Sequence, residues 1–198
     1  MMEGQYPVTT DSSAEAQAAE PRRSKLIAGV KELIQLMLII VLLRVGMDIF
    51  LPRYMVDGAS MEPNFHTNQR VIVDRLTMVL SGPARGDVVV LDSPTNSDEL
   101  LIKRVVGLPG EQIAIRDGRV YVNGEALSEP YVDEFCTYRS CEGTWELGPD
   151  EYYVLGDNRM HSLDSHSFGP VNVDSIQGIA RIRYWPLTHA DILLAPEY

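Results

Sequence analysis

The stretch QIAIRDGRVYVNG, Gln112 to Gly124, decides the fold class. Its halves, Gln112 to Ile115 and Val120 to Val122, are rich in β-branched and aromatic residues, which suit a pleated, half-buried surface. Asp117 and Gly118 lie between them, a pair that favours the tight turn of a β-hairpin. VNG, at Val122 to Gly124, marks a second turn in the same way.

Working outward, the same texture covers the rest of the chain from Pro52 to Tyr198. RVIVDRL, DVVVLD, LIKRVVGL, YYVLGD and IARIRYWP are short, β-branched or aromatic, and cut by Gly, Pro and Asp. No long amphipathic helix, internal repeat or low-complexity run follows residue 52. The expectation is a mostly β, antiparallel domain over residues 52–198.

The first fifty residues are different. Residues 1–24 are rich in Ser, Ala, Glu, Gln and Thr without hydrophobic periodicity, so they are expected to stay disordered. Residues 25–51 follow, with an apolar centre from Leu36 to Leu43. A helix needs about 20 mostly apolar residues to cross a bilayer, and this segment reaches that length by tolerating Gln35, Arg44 and Asp48. A cleavable signal peptide and a buried helix of a soluble protein compete with a membrane anchor. The long preceding tail and the lack of a prompt small-x-small pattern disfavour the signal peptide. Arg22, Arg23, Lys25 and Lys31 precede the apolar centre, so the positive-inside rule puts the tail in the cytoplasm and residues 52–198 outside.

Composition narrows the functions. A chain of 198 residues, 45% of them hydrophobic, can bury one good core and a small second lobe. Its formal charge of -11 opposes a broad polyanion-binding surface, so nucleic acid is not an expected partner. The two cysteines, Cys136 and Cys141, are close enough in sequence to pair, and an exported domain would favour that. Free thiols are the alternative. A metal site would need two further ligands that the histidine spacing does not offer.

The chemistry-bearing residues fall in three places. Ser60, in VDGASMEPNF, lies in a small-residue turn, where serine is usually structural. Gly58 and Ala59 leave its hydroxyl approachable, yet Glu62 occupies the place of the second glycine of a G-x-S-x-G elbow. Lys103, in LLIKRVVGLPGE, shares a strand face with Leu101 and Val105, while Ile102, Arg104 and Val106 take the other. A lysine on a strand is commonly a solvated edge residue. Desolvated between apolar neighbours, it would instead lose much of its charge near neutral pH and act as a base toward Ser60. The third place is LGDNRMHSLDSHSFGPV, Leu155 to Val171, dense in short polar residues. It reads as an Asx-rich loop or, through His161, His166 and Asp164, as part of a triad. Its carboxylate spacing does not fit an EF-hand.

GASMEP, GDVVVL, IKRVVGLPGE, GDNRMHSLDSHSFG and GIARIRYWP, in this order after an apolar segment, resemble the bacterial type I signal peptidases, membrane-anchored serine peptidases that remove signal peptides. The match runs from about Leu33 to Leu187. SMxP by itself also occurs in self-cleaving repressors; the ordered set is specific.

The resemblance implies an antiparallel β catalytic core with an inserted β lobe around residues 108–150. It implies Ser60 as nucleophile and Lys103 as general base, with no cofactor. It further implies Ser162 orienting the lysine amine, Asp164 bracing the site, Arg104 beside the base, and Gly156, Asp157, Asn158 and Arg159 shaping the loop behind. Substrate would add as a strand along Met55, Val56, Asp57 and Gly58 and along Leu100, Leu101 and Ile102. The implied partners are exported pre-proteins with signal peptides, the lipid bilayer of the plasma membrane and the protein-export translocon. Two departures stand out. Gly58 occupies a place that carries a hydroxyl in many Gram-negative members, leaving the second oxyanion donor unassigned, and His166 stands where the family usually has arginine.

Overall fold

In a computed structural model of the chain, residues 12–96, 98–136 and 141–196 are described. They fall into two units, residues 1–46 and 47–198. Helix α1, Ser12–Phe50, runs through the first unit and ends in the second. Its segment Ala28–Phe50 is long and apolar enough to cross a membrane and carries large exposed side chains such as Leu36, Leu42 and Leu43. The helix begins at Ser12, inside the stretch expected to be disordered. Ala, Glu and Gln in AEAQAAE are strong helix formers, and extending an existing helix avoids the cost of nucleation. Residues 1–11 of that tail lie outside the described residues.

The second unit is built on two antiparallel sheets. The larger comprises β1 (Arg53–Met55), β2 (Arg70–Asp74), β3 (Val88–Asp92), β4 (Leu100–Gly107), β9 (Glu151–Leu155), β10 (Val171–Asn172) and β11 (Ile176–Trp185). Their order is β1-β2-β11-β3-β4-β9-β10, and β12 (Asp191–Ile192) pairs with β11. The smaller sheet holds β5 (Gln112–Arg116), β6 (Arg119–Val122), β7 (Glu125–Ala126) and β8 (Gly143–Glu146), in the order β7-β6-β5-β8. It is inserted between β4 and β9, and Cys136 and Cys141 form a disulfide just before β8.

The hairpin that announced the fold is β5-β6. Arg116 pairs with Arg119, which leaves Asp117 and Gly118 as a two-residue turn with φ of 49° and 74°. Positive φ at both positions is the type I′ signature and matches the twist of the strands it joins.

Strands β3 and β4 lie inside the large sheet, and their side chains are buried on both faces, which is why VVVLD and LIKRVVG read as nearly unbroken apolar runs. Leu101 and Val105 enter one core cluster with Val89, Val154 and Ile179; Ile102 enters another with Val56, Met61 and Phe65. Val106, Tyr153 and Leu155 pack with Ile113, Val120 and Leu147, joining the small sheet to the large one.

The run RVIVDRL is not one strand. Asp74 ends β2 and caps helix α2, Arg75–Ser81, by accepting from Thr77 N at 2.9 Å and from Thr77 Oγ1 at 2.6 Å. Such a cap is worth about 1 kcal/mol.

Candidate active site

Ser60 sits in the loop between β1 and β2. The loop is closed at its base by Val56 N donating to Gln69 O at 2.8 Å and Asn68 N donating to Val56 O at 2.9 Å. Met61 and Phe65 are buried beneath it, so an apolar plug fixes the turn while Ser60 stays partly accessible.

Lys103 approaches from β4. Its side chain is buried, flanked along the strand by Leu101 and Val105, and its Nζ donates to Ser60 Oγ at 2.7 Å. Burial pushes the amine down to about 8, against the opposing pull of Asp164, Glu99 and Asp157. The alternation of β4 sends Arg104 to the other side. There it grips Asp157 through Nε at 2.8 Å and Nη2 at 2.7 Å, donates Nη1 to Gly86 O at 2.9 Å, and lies 4.1 Å over the Tyr131 ring.

The polar loop after β9 closes against the serine turn. Asn158 N donates to Ser60 O at 3.0 Å, and Asn158 Nδ2 donates to Ala59 O at 3.1 Å. Gly156 is required by close approach, since a Cβ there would fall 2.4 Å from Ser60 O and 2.2 Å from Ser162 Oγ. Arg159 donates Nε to Gly156 O at 3.1 Å and forms a buried ion pair with Glu129. Asp164, fully buried, accepts from Gly156 N at 2.8 Å and caps helix α3, Ser165–Phe168, by accepting from His166 N at 3.2 Å. His166 Nδ1 is 2.5 Å from the same carboxylate, and that hydrogen bond, opposed by burial, raises the imidazole above its ordinary value.

The expected residues therefore come together unevenly. Ser60, Lys103, Asn158 and Gly156 converge, with the Arg104–Asp157 pair on the adjoining residues of β4 and the polar loop. Ser162 is beside Gly156, but its Oγ is buried with no hydrogen-bond partner among the described residues. The histidines do not complete a triad with Ser60. His166 Nε2 faces Ser167 Oγ at 3.1 Å, and His161 is exposed, its Nδ1 3.4 Å from Asn158 Oδ1.

Between the segment that precedes Ser60 and the start of β4, a cavity of about 110 Å³ is lined by Met55, Val56, Asp57, Leu100, Leu101 and Ile102, together with Tyr54, Val71 and Val90. Gly58 lies outside it, exposed, with φ of 89° and open space where a Cβ would be. Among the described residues no group of three or more His, Cys, Asp or Glu is placed to hold a metal ion.

Reasoning from sequence missed Glu129, Asn64 and Tyr131. Asn64 Nδ2 bridges Asp157 Oδ2 at 2.9 Å and Tyr131 O at 2.8 Å. All three lie in irregular segments, where no periodicity marks a buried polar contact. The one available signal was the count of cations at the site: Arg104 and Arg159, once buried, demand carboxylate partners.

Comparison with known proteins follows the same outline. Residues 30–185 match the family described as signal peptidase, peptidase S26. A probable signal peptidase I-2 of Synechocystis sp. is 37% identical, over 82% of this chain and 76% of that protein. A signal peptidase I of Leptolyngbya laminosa is 34% identical, over 98% of this chain and 97% of its own. A signal peptidase I of Bacillus amyloliquefaciens is 33% identical, over 83% of this chain and 91% of its own.

Proposed function

The chain belongs to the signal peptidases of the peptidase S26 family, serine peptidases that hydrolyse peptide bonds, and on that premise we propose that Ser60 and Lys103 are its catalytic dyad, cutting N-terminal signal peptides from exported pre-proteins at the membrane that α1 crosses. The observation that carries this reading is the contact between Lys103 Nζ and Ser60 Oγ at 2.7 Å, made by a lysine whose burial brings its amine down to about 8. At that value a useful fraction is neutral near physiological pH, and a neutral amine accepts the hydroxyl proton.

The pre-protein lies extended along Met55 to Gly58 and Leu100 to Ile102, adding a strand by main-chain hydrogen bonds. The cavity of about 110 Å³ beneath that path admits small side chains. Ser60 Oγ attacks the scissile carbonyl while Lys103 takes its proton. The Ser60 N–H donates to the oxyanion, which is worth most in a site that excludes water. Lys103 then returns the proton to the leaving amine, and water, deprotonated by the same amine, releases the signal peptide from Ser60. Asp157, Arg104, Asn158 and Asp164 hold the two loops in register.

The basic residues Arg22, Arg23, Lys25 and Lys31 before the apolar centre orient the chain, with its N-terminus cytoplasmic and its β unit outside. The substrate's own apolar segment lies in the same bilayer, beside the translocon that delivers it.

The test is incubation of a signal-bearing precursor in detergent with wild type, Ser60→Ala, Lys103→Ala and His161→Ala, read by product mass. Cleavage at a single site by wild type and His161→Ala, and none by the other two, is expected. Wild-type rates from Lys103→Ala would remove the dyad.

A further inference from the structure

Asp157, Asn158 and Arg159 are each tied in a different direction. Asn158 faces the nucleophile: its Nδ2 donates to Ala59 O at 3.1 Å and its N–H to Ser60 O at 3.0 Å. In a trans peptide the C=O and the N–H lie in one plane and point in opposite directions. A bond accepted by Ala59 O therefore sets the direction of the Ser60 N–H, and one accepted by Ser60 O sets the peptide that follows. Asn158 thus holds both peptide planes that flank Ser60, including the one whose N–H is to meet the oxyanion.

The neighbours of Asn158 are in turn held from the inserted lobe. Between β7 and β8 the chain carries Glu129, Pro130 and Tyr131. The Glu129 side chain, 1% exposed, accepts from both terminal nitrogens of Arg159, with Nη1 at 3.2 Å, and from Tyr131 Oη at 3.2 Å. On the other side of Asn158, Asn64 Nδ2 joins Tyr131 O to Asp157 Oδ2. This strap is rooted in the lobe by Leu127, which packs with Val106, Ile113 and Val120 and donates its N–H to Val120 O at 2.9 Å.

A buried ion pair is a poor source of stability, because the cost of desolvating both charges offsets their attraction. What the Glu129–Arg159 pair supplies is direction. Two parallel bonds fix the plane of the guanidinium, and Arg159 Nε, donating to Gly156 O at 3.1 Å, carries that constraint into the loop.

We propose that Glu129 is a positioning residue for peptide cleavage: by holding Arg159 it fixes Asn158, and through Asn158 the Ser60 N–H that meets the oxyanion. The proposal rests on the reading of Ser60 as nucleophile and Lys103 as its base. It gives the inserted lobe a part in the chemistry although none of its residues touches the reacting atoms.

The test measures cleavage of a signal-bearing precursor by the full chain in detergent, together with inhibition by a peptide aldehyde that ends at the cleavage site. Ser60 Oγ bonds to the aldehyde carbon, its proton passes to Lys103, and the carbonyl oxygen takes the negative charge at the oxyanion position. Glu129→Gln keeps the size of the side chain and removes its charge. It should lower kcat by about 10- to 100-fold, short of the roughly 100- to 1,000-fold that loss of an oxyanion donor costs, with KM within about twofold. The aldehyde inhibition constant should rise by the same factor, whereas a variant that had merely lost folded molecules would bind aldehyde as wild type does. Glu129→Asp, which keeps the charge, should recover most of the rate. Asn64→Ala cuts the tie to Asp157 without touching the ion pair, so it serves even if Glu129→Gln does not fold, and should lose about 10-fold in both measures. Wild-type aldehyde affinity in the folded variants would overturn the proposal, whatever their rates. Wild-type rates from Lys103→Ala would instead remove the dyad on which it rests, so the two failures are told apart.

Discussion

Lys103 has an amine that burial discharges and three carboxylates hold back, Asp164 most strongly. With the neutral form as the proposed base, activity should rise with pH through about 8 and then level off; a limb set only by a group near 6.5 would contradict the dyad. His166 gives a second, separable prediction. Its pKa is raised by Asp164, so the charged pair contributes stability that is complete below the ordinary histidine value of 6.5 and is lost as pH rises through the raised one. An arginine there stays charged, so the urea midpoint of His166→Arg relative to wild type should climb as pH rises across that window. No change in the difference would mean that the carboxylate does not depend on its imidazolium. The burial of Lys103 was legible, because strand alternation put it between Leu101 and Val105. The status of Ser162 was not: a resemblance assigns a role by position, whereas an Oγ left without a partner is a matter of tenths of an ångström around Gly156.

Elements were legible where local chemistry alone selects the conformation. Asp117-Gly118 can make a type I′ turn whatever surrounds it, and the turn is there with both φ values positive. Helix α2 was hidden because the apolar run RVIVDRL continues smoothly across Asp74, and only the fold shows that its carboxylate turns to cap Thr77. Gly118 couples turn to lobe: a Cβ there would sit 2.6 Å from Cys136 O, and φ is 74°. Gly118→Ala should therefore cost about 1 to 3 kcal/mol, with faster amide exchange in β5 and β6 before β3 and β4. The Cys136–Cys141 bridge closes a short loop of the same lobe. Replacing both cysteines by serine should cost about 2 kcal/mol of unfolding free energy, as the chain-entropy model gives for so small a loop, measured by urea denaturation. A loss confined to the lobe would leave the Lys103–Ser60 contact, on the large sheet, in place.

At the scale of the molecule, a span of apolar residues and a β peptidase unit are joined in one chain, and the consequence is kinetic. With α1 in the bilayer, as proposed, a precursor whose signal segment enters the same bilayer would meet the site by diffusion in two dimensions. Its effective concentration is then set by the membrane and not by the bulk. The apolar span was readable because twenty-odd residues of uniform hydropathy need no tertiary partner to be recognised. The start of its helix at Ser12 was not, because Ala, Glu and Gln satisfy a disordered tail and a helical one equally by composition. If tethering supplies the efficiency, full-length enzyme and precursor placed in the same vesicles should react about 100-fold faster than the same amounts placed in separate vesicles. Detergent, which dissolves the shared surface, should bring both mixtures to one intermediate rate. Equal rates in joint and separate vesicles would mean that the site captures its substrate from solution, and that α1 serves location without serving catalysis.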